Sequence, residues 1–197
     1  LEVLTTRRAG MNTKPIFGSV FAAVVILLSL AVRVNAEQLT PQTAAEALAK
    51  APPGSTLLLA DGVYRDVTLR LKGAGTAEKS VTLSAQTPGK VIITGKSLLT
   101  ISGEYFTVSG MVFDQVWNRG VVAFEAARHC RLSDCAFIEC GNPQSTFSHI
   151  ITLHQGSQQC RVDHCYMQGN LSMGMGVRVS AEDFDNTRNT FDHNFFK

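Results

Sequence analysis

The sequence has little charge and little lysine, and both shortages limit what the protein can be. Only 17% of its residues are charged and 45% are hydrophobic, which argues against an intrinsically disordered chain. Between Lys96 and Lys197 the chain contains no lysine at all. Residues 1–36 hold four of the 18 basic and one of the 16 acidic residues, so the remaining 14 and 15 leave residues 37–197 with a net charge of −1. This balance excludes the basic surface that nucleic-acid binding requires.

Long amphipathic helices and the common catalytic motifs are also missing. After residue 52 no helical pattern of any length occurs, which excludes a doubly wound α/β fold, because its parallel strands need crossover helices. The sequence contains no H-E-x-x-H, no G-x-S-x-G and no Walker loop. The stretch GMGVRV (174–179) has two glycines but lacks the helix that a dinucleotide site requires.

The N-terminal region is typical of an export signal. From Met11 the chain reads MNTKPIFGSVFAAVVILLSLAVRVNA, in which one lysine precedes an uncharged run over residues 15–32. Small residues before Ala36 suit signal peptidase and predict cleavage after it. A retained membrane anchor is the alternative, because a run of 18 residues is about the minimum that spans a bilayer.

These features divide the chain into three parts. Residues 1–10 begin with leucine and are interpreted as upstream read-through, and residues 11–36 are the predicted signal peptide. Residues 37–197 are the predicted mature domain, which is secreted or periplasmic and does not associate with a membrane after cleavage.

Four stretches of the mature part repeat one motif. They are FTVSGMVF (106–113), CRLSDCAF (130–137), CRVDHCYM (160–167) and NTFDHNFF (189–196), at spacings of 24, 30 and 29 residues. Short β-type runs fill the intervals, separated by Gly, Pro, Asn and Asp. A constant motif with variable insertions predicts an all-β solenoid, a right-handed parallel β-helix. A β-sandwich has strands of this length but no reason to repeat a motif in register.

The alternation inside the repeat predicts which side chains point inward. We expect residues 58–197 to form about five stacked coils, with equivalent residues stacked at the strand spacing of about 4.8 Å. One predicted column consists of Val108, Leu132, Val162 and Phe191.

The first coil needs a cap, because a solenoid end exposes unpaired strand edges. Residues 40–51 supply a predicted capping helix with Thr40 as N-cap and Pro41 at its first position. No such cap follows the half-built coil that ends at Lys197. We therefore expect the chain to be a fragment of a longer protein.

The five cysteines allow three interpretations. The repeat predicts that Cys130 stacks against Cys160 and Cys135 against Cys165 as reduced core residues, with Cys140 unpaired. Disulfides are an alternative in an exported protein, and a zinc site is another, although its cysteine pairs usually lie closer in sequence.

Two Asp-His pairs and one arginine are the candidate polar sites. Asp163-His164 and Asp192-His193 occupy the same repeat position, where they serve as corner residues, bind a cation or act on an acidic sugar. Arg178 lies in a strand, where alternation makes it point outward. It is therefore either a ligand for a substrate carboxylate or an ordinary solubilising residue.

The stretch STLLLADGVYRDVTLRLKGAGTAEKSVTLSAQTPGKVIITGKSLLTISGEYFTVSGMVF (55–113) resembles the N-terminal coils of polysaccharide lyase family 6, the alginate lyases and chondroitinase B. CRVDHCYMQG and FDHNFFK resemble later coils of the same family, and the resemblance covers residues 38–197. Each motif is weak alone, but their order and spacing together are specific.

The resemblance implies an enzyme that cleaves an acidic uronic-acid polysaccharide by β-elimination. It also implies a Ca²⁺ ion, held by an Asn and two Glu, that neutralises the uronate carboxylate while a lysine removes the neighbouring proton. None of these residues can be assigned here, so we expect every catalytic residue and metal ligand beyond Lys197 and no activity from this chain alone. Within the chain, Arg178 could at most border the substrate groove.

Three functions therefore remain open for the longer protein. Alginate is the expected substrate. The alternatives are a dermatan-cleaving chondroitinase and a non-catalytic β-helix that acts as an adhesin or a carbohydrate-binding stalk.

Overall fold

A computed structural model describes residues 38–145, 147–171, 176–180 and 186–197. The predicted upstream segment (1–10) and signal peptide (11–36) lie outside the described residues. Within the described ranges, no helix has the length and apolar character needed to cross a membrane.

One helix precedes a series of short strands. The helix α1 is Pro41–Lys50. The strands are β1 Thr56–Leu59, β2 Gly62–Arg65, β3 Thr68–Ala74, β4 Val81–Ala85, β5 Val91–Gly95, β6 Leu98–Glu104, β7 Phe106–Ser109, β8 Val112–Val116, β9 Gly120–Arg128, β10 Arg131–Ser133, β11 Ala136–Cys140, β12 His149–His154, β13 Arg161–Asp163, β14 Tyr166–Asn170, β15 Val177–Val179, β16 Thr190–Asp192 and β17 Phe195–Phe196.

The strands form three parallel sheets, and every third strand returns to the same sheet. Sheet A has the order β1-β4-β7-β10-β13-β16, sheet B the order β17-β14-β11-β8-β5-β2, and sheet C the order β15-β12-β9-β6-β3. Five successive sets of three strands therefore make five coils, and β16 and β17 follow them. The predicted parallel β-helix is confirmed.

The repeated motifs stack in the predicted register. Leu132 pairs with Val108 below it and with Val162 above it, and Val162 pairs with Phe191. The first three side chains are fully buried, whereas Phe191 on the last strand of sheet A is 36% exposed. Each copy of the sequence repeat thus corresponds to one coil of the structure.

The corner between sheets A and B explains the Asp-His dipeptides. Gly110, Asp134, His164 and His193 follow equivalent strands, and all have left-handed backbones, with φ of 76°, 55°, 54° and 55°. Residues other than glycine rarely adopt this backbone conformation unless a turn requires it. The rings of His164 and His193 stack with centroids 5.1 Å apart. The corner interpretation of these histidines is confirmed.

The core contains ladders of like side chains. The rings of Phe113 and Phe137 stack with centroids 4.8 Å apart. All five cysteines are free and buried. The backbone N–H groups of Arg161 and Tyr166, which follow Cys160 and Cys165, donate to the carbonyls of Cys130 and Cys135 on the preceding coil. The predicted cysteine ladder is therefore confirmed for the described chain.

In the coil after Cys165, an asparagine takes the place of the cysteine. Asn194 occupies the position of Cys165; its Oδ1 accepts a hydrogen bond of 2.9 Å from the Cys165 backbone N–H. Its Nδ2 donates one of 2.9 Å to the carbonyl of Val162. These bonds tie successive coils together at the corner.

Helix α1 closes the first coil as predicted. The hydroxyl of Thr43 accepts a 3.0 Å hydrogen bond from the backbone N–H of Thr40, which satisfies a free donor at the helix start. Ala44 and Leu48 are buried on the face that packs against β1 and β3. The strand edge of β1 is further covered by a parallel bridge between Leu39 and Leu59.

Two arginine–aspartate pairs connect the coils on the outside of sheet A. The Arg131 guanidinium donates to both oxygens of Asp163 at 2.7 and 2.5 Å, and Arg161 donates to both oxygens of Asp192 at 2.9 and 2.7 Å. The carboxylate of Asp163 is fully buried, while the Arg131 side chain is 41% exposed. These hydrogen bonds hold the pKa of Asp163 below its usual range and lower that of Asp192 to about 2.

We predict that Asp163→Asn destabilises the protein by about 2 kcal/mol at pH 7, because it removes a charge-assisted bidentate pair. The pKa of Asp163 is depressed in the folded state, so the stabilisation is present above the unfolded pKa and is lost as the pH falls through the lowered folded pKa. Urea unfolding at several pH values measures both effects.

The exposed Glu78→Gln variant is the control for removal of one carboxylate. The difference in free energy of unfolding between wild type and Asp163→Asn should become smaller as the solution becomes acidic. A difference in free energy of unfolding that does not change with pH would contradict the role of the ionised pair.

Candidate functional site

The outward face of sheet C is the polar face that carries the sequence-predicted site residue. In β12 and β15 the register pairs Thr152 with Arg178, and in β9 Ala123 lies opposite Thr152. Thr152 alternates with the buried Ile151 and Leu153, so Thr152 and Arg178 face away from the core, whereas Ala123 is itself only 6% exposed.

Arg178 lines an open cleft on this face. The cleft has a volume of about 390 Å³ and spans the third to fifth coils. Its lining residues are Arg119, Gly120, His149, Thr152, Leu153, His154, Arg178 and Ser180. We call this surface the Arg178 cleft.

The Arg178 cleft is rich in cationic and hydrogen-bonding groups. Arg119 and Arg178 are both exposed, and neither forms a salt bridge within the described parts of the chain. Among the described residues, Glu125 contacts the cleft, with its Oε1 3.5 Å from Nε2 of His154. Two guanidinium groups without a described ion pair, beside hydroxyl and imidazole groups, suit an anionic, hydroxyl-rich ligand.

Sequence reasoning found one member of this cleft and missed the others. Arg178 points outward on β15 as expected, although its neighbour Val179 is also 46% exposed. Arg119 and His149 meet because the backbone N–H of His149 donates to the carbonyl of Arg119 across adjacent coils, at 2.7 Å. Arg119 and His149 could have been found from the sequence by aligning the starts of β9 and β12 in the repeat.

The described residues do not fit a calcium site. Among residues 38–145, 147–171, 176–180 and 186–197, no group of three or more His, Cys, Asp or Glu side chains converges on one point. Asp163 and Asp192, the acids of the candidate Asp-His pairs, are instead held by arginines.

Comparisons with known proteins identify relatives of this architecture. The family model described as Chondroitinase B matches residues 39–197. A search of curated proteins found no significant match.

Several solved structures share the fold. A mutant of the PL6 family alginate lyase AlyGC is 31% identical with a TM-score of 0.70; the match covers 77% of this chain and 22% of that one. A mannuronic acid specific family 6 lyase from human gut microbiota is 28% identical with a TM-score of 0.70. That match covers 81% of this chain and 40% of the lyase. The PL6 lyase Pedsa3628 from Pseudopedobacter saltans, at 22% identity and a TM-score of 0.71 over 81% and 37%, shows the fold alone.

This chain thus spans between about a fifth and two fifths of the length of these lyases. The family model nevertheless covers nearly all of the described residues, from the strand bridge before α1 to β17. The chain belongs to the chondroitinase B family, which is polysaccharide lyase family 6.

Proposed function

We propose that this chain forms the N-terminal coils of an exported lyase that cleaves a uronic-acid polysaccharide, alginate in particular, by β-elimination. The observation that carries the proposal is the family match over residues 39–197, on a coil stack whose outward face bears the Arg178 cleft. Export is proposed from the signal-like sequence of residues 11–36.

The similar structures favour alginate as the substrate. Their names describe an alginate lyase and a mannuronic acid specific lyase. The family name favours the alternative, a chondroitinase that cleaves dermatan. Both substrates carry a carboxylate on the sugar that loses its proton, so the same cationic surface serves either one.

The chemistry explains why cations matter next to the reacting sugar. β-Elimination removes the C5 proton beside the carboxylate and breaks the bond between C4 and the bridging oxygen. Negative charge develops on the carboxylate, and positive groups stabilise it. In this proposal Arg178 binds and orients a uronate carboxylate through two parallel N–H donors. Calcium supplies charge neutralisation when bound, and its ligands are expected outside this chain.

We predict that Arg178→Gln weakens binding of alginate about threefold to tenfold, because an exposed arginine–carboxylate pair contributes about 1 kcal/mol. Affinity electrophoresis or calorimetry with the polymer measures the effect. Arg65→Gln is the matched control, since Arg65 is exposed on sheet B, away from the Arg178 cleft. Equal affinities of the two variants would remove Arg178 from the binding surface.

We also predict which protein produces unsaturated uronate, as followed by ultraviolet absorbance. A protein in which this chain is extended to the length of the family 6 lyases should release product from alginate and lose activity on treatment with a calcium chelator. The 197-residue chain should release none, because no lysine is among the described residues that line the Arg178 cleft, where the proton would be removed. Calcium-dependent product from the short chain would contradict the assignment, and preference for dermatan would select the alternative substrate.

A further inference from the structure

A second cleft lies on sheet C among the first three coils, at the carboxyl ends of β3, β6 and β9. Its volume is about 530 Å³, larger than that of the Arg178 cleft. The lining residues are Lys72, Gly73, Ala74, Gly75, Ser102, Gly103, Glu104, Ala126 and Arg128. We call it the Lys72 cleft.

Packing inside the β-helix requires glycine at two positions of this cleft. A Cβ on Gly73 would lie 2.2 Å from Cβ of the buried Phe106, and one on Gly103 would lie 2.1 Å from the carbonyl oxygen of Gly73. Gly103 also has a φ of +83°. Glycine is therefore required at these positions. Among the other uncharged lining residues, Ala74, Ser102 and Ala126 have small side chains.

The charged groups of the Lys72 cleft are available for a ligand. Lys72, Glu104 and Arg128 are all exposed. The register places Glu104 opposite Arg128, yet none of the three forms a salt bridge within the described ranges of the chain. Two cations and one acid among these lining residues give the cleft a net positive charge.

A continuous outward row links the neighbourhood of this cleft to Arg178. Successive register pairs connect Arg70, Thr100, Ala123, Thr152 and Arg178 from the first coil to the fifth. Four steps at the strand spacing of about 4.8 Å correspond to about 19 Å. The three residues between the arginines are small. Thr100 and Ala123 are buried and Thr152 is half-buried, so no side chain of the row projects between the exposed Arg70 and Arg178.

We propose that the Lys72 cleft is a distal anchoring site for the carboxylates of a uronate polysaccharide whose chain continues along sheet C to the Arg178 cleft. The proposal rests on the proposed function and adds to it where a long polymer is held. Lys72 supplies a point charge and Arg128 a planar two-donor group, both suited to carboxylates. The chemical class of the ligand follows from net charge and from continuity with the Arg178 cleft.

Binding of alginate polymer and of an alginate disaccharide to the 197-residue chain tests this proposal. The double variant Lys72→Gln/Arg128→Gln should bind the polymer about fivefold more weakly at low salt and bind the disaccharide as wild type does, because a disaccharide cannot reach both clefts. The control Lys90→Gln/Arg65→Gln removes the same two charges from exposed positions outside sheet C and should leave polymer affinity unchanged. Glu104→Gln should tighten polymer binding, because it removes the only acid of the cleft.

The outcomes separate this inference from the proposed function. Equal weakening by both double variants would mean general charge attraction and would overturn the distal site. Weakening by Arg178→Gln without weakening by Lys72→Gln/Arg128→Gln would also overturn it, while leaving the proposed function intact. Absence of any alginate binding by the wild-type chain would overturn both. Thermal unfolding of each variant confirms that the coils remain folded.

Discussion

Stacking of equivalent residues at the spacing of parallel strands is the constraint on which this structure depends. Each side chain must accept a partner about 4.8 Å above and below it, which favours like residues in each column. The result is visible in the stacked rings of Phe113 and Phe137, 4.8 Å apart, and of Tyr166 and Phe195, 5.5 Å apart. The hydroxyls of Ser84 and Ser109 meet in the same way, at 3.2 Å.

The same constraint decides how charge enters a column. Arg131 lies opposite Arg161, and Asp163 lies opposite Asp192, so like charges do occupy adjacent coils. Their repulsion is offset because each arginine bonds diagonally to the aspartate of the next coil. Arg131 bonds Asp163 and Arg161 bonds Asp192, which repeats one diagonal contact. This arrangement leaves the outside of sheet A neutralised, whereas sheet C retains free cations at Lys72, Arg128 and Arg178.

The elements that repeat in the sequence could be predicted from it, because a ladder in space is a repeat along the chain. The column from Val108 to Phe191, the cysteine pairs and the helix at Thr40 all followed from spacing and residue type. The ion pair between Arg131 and Asp163 could not be predicted, since it joins unlike positions 32 residues apart. The two clefts were missed for a related reason: each combines residues from three coils whose connecting insertions differ in length.

The central claim is that the outward face of sheet C binds an acidic polysaccharide. A crystal structure of this chain with an alginate oligosaccharide tests that claim most directly. The account predicts sugar units lying along sheet C, with one carboxylate within hydrogen-bonding distance of the Arg178 guanidinium. An oligosaccharide bound to the outer surface of sheet A or sheet B, with the sheet C face left free, would contradict it.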